Sequence, residues 1–167
     1  MAVEKFLLFN SGERVFSLAF SDIIQIIAAE EPSSLPDFPD YVLGTIAFGG
    51  TVLPVISLRR RFHYEDKPIG DRDCIIVCES EGKQVGLLSD SVSGFTEKHD
   101  REIMPPTNLN EEATARFLKG ELLIDDEHIL LLDPVKLIKL GDEAVFEACE
   151  SENNEENNGE EETNEGN

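Results

Sequence analysis

Four times within the first 140 residues an apolar run stops at a turn signal and resumes: FLLF-NSGE-RVFSLAF, IAF-GG-TVLPVI, CIIVC-ESEG-KQVGLL and LLI-DDE-HILLL. Short apolar runs separated by Asn, Gly and Asp, residues that tolerate positive φ, read as strands joined by tight turns. Four hairpins in so short a chain predict an all-β body. Helical periodicity is weak, confined to short segments after strands and to EEATARF.

The second and fourth hairpins repeat one another. Shifted by 76 residues, YVLGTIAFGGTVLPVIS (41–57) lies without gaps on FLKGELLIDDEHILLLD (117–133). Gly44 meets Gly120, the turn pair Gly49-Gly50 meets Asp125-Asp126, and Ser57 meets Asp133. Ser57 and Asp133 are both expected as N-cap residues of a short helix, with Pro134 at a first helical position. Upstream, SLAFSD (17–22) resembles VGLLSD (85–90). Two periods are too few for a solenoid. They predict two similar β lobes packed together over residues 1–140, roughly 1–70 and 71–140, with exchange of strands between them left open. A cleft between such lobes is a natural place for a partner.

Charge restricts what that partner is. The formal net charge is -21, and residues 141–167 carry 11 of the 35 acids with no Lys or Arg. The remaining 24 acids and 14 bases leave the body near -10. Both parts repel a phosphate backbone and an anionic membrane surface, so neither nucleic-acid binding nor membrane binding is expected. No apolar stretch reaches the ~18 residues of a membrane-spanning helix. The start, MAVEKFLLFN, has an early acid and too short an apolar run for a signal peptide. Residues 141–167 read as an acidic tail, starting with a short helix over GDEAVFEAC and disordered from about residue 150.

Nothing in the chain looks catalytic. His63, His99 and His128 stand in separate segments, and no nucleophile elbow, phosphate loop, CxxC or HExxH is present. Asp125-Asp126-Glu127-His128 imitates a metal cluster, but side chains on a two-residue turn splay apart, so it reads as a hairpin tip. Cys74 and Cys78 lie four residues apart in one strand, about 13 Å, too far to pair or to share a metal. The expectation is therefore no enzyme activity, no metal, no cofactor, and reduced thiols in a cytoplasmic setting.

One stretch carries more. PDYVLGTIAFGGTVLPVISLRRRF resembles the central signature of CheW-like domains: a Pro-acid step, a glycine, a strand, a glycine turn, a strand with a Pro-apolar-apolar end, then Leu-Arg and a phenylalanine. FSLAFSDIIQII lies upstream, CIIVCESEGKQVGLLSDSVSGF and FLKGELLIDDEHILLLDPVKLI downstream, so the resemblance runs in order over residues 3–140. It implies two packed SH3-like, five-stranded β-barrels. It also implies a non-enzymatic adaptor that joins a CheA-type histidine kinase, through the kinase's regulatory domain, to the cytoplasmic tips of methyl-accepting chemoreceptors. Its place would be at membrane-associated arrays, reached through partners.

Carried over by position, Ile23, Gln25, Ile26, Gly86, Leu87, Asp90 and Val92 fall where the family lines a receptor groove between the barrels. Gly49, Gly50 and Arg59 fall at its kinase and receptor interfaces. Arg60 and Arg61 are expected to be solvated surface. For Ile23 and Ile26, core burial is the competing reading; for Asp90, a turn or cap. The chain departs from the family where Gly49 replaces an arginine, Ser57 an aspartate and Gln25 an acid, which removes five guanidinium donors and a fixed charge at the turn. Two other readings stand beside the adaptor: a CheW-like scaffold of a divergent, non-flagellar pathway, and a small-ligand-binding β-barrel. The last requires a deep apolar pocket; an adaptor requires a shallow groove and an exposed apolar patch.

Overall fold

The computed structural model describes residues 3–34, 37–106 and 116–151. Its strands are β1 (Val3–Ser11), β2 (Arg14–Ala19), β3 (Ile23–Ala28), β4 (Val42–Phe48), β5 (Thr51–Ser57), β6 (Cys74–Ser80), β7 (Lys83–Ser89), β8 (Ser91–His99), β9 (Ile103–Met104), β10 (Leu118–Ile124) and β11 (Glu127–Leu132). One helical turn, α1 (Leu58–Arg61), follows β5. All four expected hairpins form, as β1–β2, β4–β5, β6–β7 and β10–β11. Their turns use the anticipated residues, with positive φ at Gly49 and Gly50 and at Asp125 and Asp126. The segment EEATARF falls mostly outside the described residues, as does the chain beyond residue 151.

The strands make two sheets, ordered β8-β1-β2-β11-β10-β9 and β3-β6-β7-β5-β4. Apart from the two-residue β9, which makes the first sheet six-stranded, the two orders are the same pattern. Each sheet takes one hairpin from one sequence repeat and three strands from the other. In each, the second strands of the two hairpins run parallel, β2 beside β11 and β7 beside β5. The crossings from one sheet to the other follow SLAFSD, at β2 to β3, and VGLLSD, at β7 to β8. A cut near residue 70 therefore divides both sheets. The lobes of the fold are not the contiguous halves 1–70 and 71–140, because each sheet is closed by a hairpin from the other repeat.

The repeat extends to backbone detail. Ser57 donates its N–H to the carbonyl of Tyr41 and Asp133 to that of Phe117, residues again 76 apart. The ladder shifts register at Gly44 and, identically, at Gly120. Pro54 sits inside β5, a central strand rather than an edge. Its pairing partner Thr45 spends its own N–H and C=O on Ser33, on the far side of β4. Pro54 and Thr45 are thus a pair without hydrogen bonds, and the missing donor points toward β7, whose ladder begins only at Val55.

Three apolar layers hold this together. Ile46, Leu53, Val55, Ile75 and Val77 fill the second sheet's barrel, and Phe6, Ala19, Leu122 and Leu131 the first's. The largest layer lies between the sheets: Leu7, Phe9, Phe16 and Leu18 from one meet Ile56, Ile76, Cys78, Val85 and Leu87 from the other. The inner strands therefore bury both faces, one toward their own barrel and one toward the neighbouring lobe.

The chain at residue 141 does not yet begin a tail. Residues 144–151 are helical, and Val145, Phe146 and Cys149 are buried. Tyr41 anchors this segment: its hydroxyl donates to Asp142 Oδ2 at 2.7 Å and accepts from Lys139 N–H at 2.9 Å. Ending the chain after Ser151 is expected to leave the melting temperature unchanged within a degree or two. Ending it after Gly141 is expected to cost about 3–5 kcal/mol, since each large buried apolar side chain contributes ~1.5–3 kcal/mol. Equal melting curves for the two truncations would refute the packing described here.

Burial, and then the Asp142 hydrogen bond, push the Tyr41 phenol up to about 12 from 10.0. A group with a raised folded pKa contributes stability that is complete below its unfolded value and lost as pH rises through the folded one. Tyr41 is thus expected to lower stability between about pH 10 and pH 12, and Tyr41→Phe is expected to flatten that slope in denaturant titrations. An unchanged slope in the variant would contradict this assignment.

Candidate interaction surface

The residues singled out by resemblance separate into three places. Gly86 and Leu87 are not at a surface. Leu87 is fully buried in the layer between the sheets, and a Cβ at Gly86 would stand 2.8 Å from Ile75 Cγ2 and 3.3 Å from Leu53 Cδ1. Gly86 is there because β5 and β6 close over it. Neither residue offers a side chain to a partner, which corrects their expected place in a groove lining.

The second place is the rim of the inter-sheet layer, formed by the edge strands β3 and β8. Both carry a bulge, between Ile23 and Gln25 and between Val92 and Gly94. A bulge inserts one residue, so side chains three apart come to share a face. Ile23 and Ile26 stand opposite Cys78 and Ile76, whose side chains face the other lobe. Val92 and Phe95 stand opposite Phe9 and Leu7, which do the same. Each edge strand thus extends the inter-sheet layer outward by an apolar pair. Ile23 packs partly against the layer, whereas Ile26, Val92 and Phe95 are 40%, 40% and 64% exposed. Gln25, exposed, is on the opposite face, beside Val77.

Phe20, in the 3₁₀ turn just before β3, lies against Phe95 with ring centroids 6.0 Å apart. Lys5 Nζ stands 5.8 Å over the same ring. Resemblance did not point to Phe20 or Phe95. Simple alternation puts Val92 and Phe95 on opposite faces; only Gly94, followed by a phenylalanine in a strand of polar residues, hinted at the bulge.

The third place is the end of β5. Ser57 caps α1, accepting from Arg60 N–H at 3.3 Å. Arg59 forks onto Asp90, with Nη2 to Oδ2 at 2.5 Å and Nε to Oδ1 at 3.4 Å, and this bond raises the guanidinium pKa above its ordinary value. Two residues expected to meet partners thus meet each other. Arg60 pairs with Asp40 and Asp66 near the surface. Arg61 departs from the expected solvated role. It donates to the Leu137 carbonyl at 2.7 Å and lies over the rings of Tyr41 and Phe117. Burial lowers its pKa, and cation–π contact with the two rings offsets part of that cost. Gly49 and Gly50 form an exposed hairpin tip, with open space where a side chain would stand.

Among the described residues no group of three or more acids, His or Cys converges on a metal position. His128 turns away from the aspartate tip to Glu121, at 3.0 Å. The three cysteines form no disulfide, and burial raises the thiol pKa of Cys74 and Cys78, which keeps both protonated and unreactive. A cleft of about 610 Å³ beside α1 is open and lined by Glu31, Arg60, Asp66 and Lys67 as much as by Leu43 and Ile69. That is not the deep apolar pocket a small-ligand barrel requires. No helix among the described residues is long and apolar enough to cross a membrane.

Comparison with known proteins fits this geometry. The sequence matches the CheW-like domain over residues 5–141. It is 31% identical over 144 residues to a probable chemotaxis protein CheW of Rhizobium etli, covering 86% of this chain and 88% of that one. It is 27% identical over 138 residues to protein FrzA of Myxococcus xanthus, covering 81% and 86%. The fold superposes on the crystal structure of the scaffolding protein TtCheW from Thermoanaerobacter tengcongensis with a TM-score of 0.74, at 24% identity, over 83% of this chain and 90% of that one.

Proposed function

The chain belongs to the CheW-like domain family, and on that premise we propose that it is the adaptor that joins a CheA-type histidine kinase to the cytoplasmic tips of methyl-accepting chemoreceptors. Members of the family are scaffolds and adaptors of chemotaxis signalling, a role that asks for docking surfaces and no chemistry. The observation that carries the receptor half is the doubled apolar rim. Ile23 and Ile26 on one lobe and Val92 and Phe95 on the other extend the inter-sheet layer into solvent. An amphipathic helix laid along that rim finds apolar anchors on both sides. Gln25, on the other face of β3, adds no charge there, and the Gly49-Gly50 tip serves the kinase contact through backbone and shape, since no side chain is present there. The protein then works in the cytoplasm, held at receptor arrays by its partners.

A second reading, a CheW-like scaffold of a divergent non-flagellar pathway, has in its favour the missing charges at Gly49 and Gln25. Calorimetry of the full chain against the regulatory domain of a CheA-type kinase from the same organism, and against a receptor-tip hairpin, tests the first. Micromolar or tighter binding to both is the expected result. Binding to neither refutes the adaptor reading, and binding to the kinase alone favours the second.

A further inference from the structure

Asp90 stands where β7 crosses to the other sheet as β8, and it holds groups from both sides. From the second sheet's side it takes Arg59, on α1 directly after β5, through two hydrogen bonds. From the first sheet it accepts the N–H of Gly12, in the β1–β2 turn, at 2.9 Å on Oδ2. Its own N–H donates to the carbonyl of Asn10 at 2.9 Å, and the Ser89 hydroxyl reaches the same carbonyl at 3.0 Å. Lys67 lies 3.8 Å from the other carboxylate oxygen and bonds Asp73. Arg59 and Asp90 are 18% and 22% exposed at their side chains, largely withdrawn from solvent. Arg59 also donates to the Glu65 carbonyl at 2.8 Å, so its fork is already occupied on two sides.

The other crossing has a counterpart. Asp22 stands at the same place in SLAFSD as Asp90 in VGLLSD, and it binds Lys119 of β10 with Nζ to Oδ2 at 2.5 Å. Both points where the chain passes between sheets are thus pinned by an aspartate and a base, but only Asp90 grips both sheets at once. A planar guanidinium held by two bonds fixes direction as well as distance, which a lysine cannot do.

We propose that Arg59, through Asp90 and the Gly12 N–H, sets the angle between the two lobes, and thereby the spacing of the β3 and β8 rims, so that it is a positioning residue for partner docking and not a contact. The docking half rests on the adaptor reading; the angle does not. The rim is built from one strand on each lobe, so a rotation between lobes moves Ile26 relative to Phe95 while leaving each barrel intact. The side chains that fill the inter-sheet layer resist separation but are apolar and non-directional, so the polar brace, with the Asp22–Lys119 and Arg61–Leu137 contacts, adds direction to that packing.

Residual dipolar couplings of backbone amides report the relative orientation of the two sheets without any partner. In the wild type one orientation should fit both sheets. In Arg59→Gln the couplings of each sheet should still fit its own structure, but no single orientation should fit both. Affinity for the receptor-tip hairpin should fall about tenfold, with Arg59→Lys between the two. One orientation retained with unchanged affinity overturns the proposal. So does lost affinity with the orientation unchanged, which makes Arg59 a direct contact, and so does a spread orientation with affinity intact. If the wild type binds neither partner, the adaptor reading fails and the docking half falls with it, while the couplings alone decide whether Arg59 sets the angle.

Discussion

Gly44→Ala, within β4, is expected to lower stability by about 2–4 kcal/mol, more than a glycine-to-alanine change at a hairpin tip. Gly44 adopts φ +150, where an L side chain is strained, and space is lacking as well. A Cβ there would stand 2.7 Å from the Ser33 carbonyl carbon and closer still to its oxygen. Ser33 cannot retreat without losing the two backbone bonds, at 2.8 and 2.9 Å, that tie it to Thr45. The substitution therefore combines backbone strain with loss of a bridge that covers the outer edge of β4. Gly120, its counterpart in the other sheet, meets the Met104 carbonyl at 2.7 Å, but β9 is only two residues long and can shift, so Gly120→Ala should cost less. Gly82→Ala is the control: φ is +77 and the space is open, leaving only strain of about 1 kcal/mol. Urea denaturation of the three variants ranks them. A Gly44→Ala protein no less stable than Gly82→Ala would show that the register shift at Gly44 is not needed for closure.

The largest functional effect is expected from a charge on the rim. Ile26→Asp and Phe95→Asp should each weaken binding of a receptor-tip helix at least about 30-fold, the ~2 kcal/mol typical of an anchoring side chain. Stability should change by less than about 1 kcal/mol, because both residues are substantially exposed in the free protein. Ile23 is the poorer probe, since it packs against the inter-sheet layer and its replacement confounds folding with docking. Glu97→Gln, beside Phe95 on the same strand, is the matched control and should bind as wild type. If both charged variants bind normally and remain folded, the rim is not where the receptor docks.

Much of this architecture was legible in the sequence because hairpins announce themselves locally. Asn, Gly and Asp at the tips, with apolar runs beside them, marked four strand pairs. The 76-residue repeat reached further, to the matching bonds of Ser57 and Asp133. What escaped was non-local or depended on one inserted residue. Nothing in SLAFSD or VGLLSD says that the chain changes sheets there, since a strand's partner is chosen by packing over long sequence separations. The bulges on β3 and β8 invert the alternation rule midway, and so hid Phe95 while mixing Gln25 with Ile26. Resemblance placed Gly86 and Leu87 near a groove but could not see which way their strand faces. Arg61 was misread because charge suggests solvent, whereas its guanidinium is laid across Tyr41 and Phe117 and its polar edge is satisfied by a carbonyl.

The order of strands has a consequence for synthesis. All five strands of the second sheet lie between residues 23 and 89, so that lobe can close while the chain is still emerging from the ribosome. The β1–β2 hairpin is made first but must wait for β11, more than a hundred residues later, before its open side is covered. In the interval it is an unfinished edge with apolar residues on both faces, the species most exposed to misassembly during translation. A circular permutant that joins residue 167 to residue 1 and opens at Ser21 would make both sheets contiguous. The finished protein would be nearly the same, but the interval in which a sheet stands unfinished would shorten.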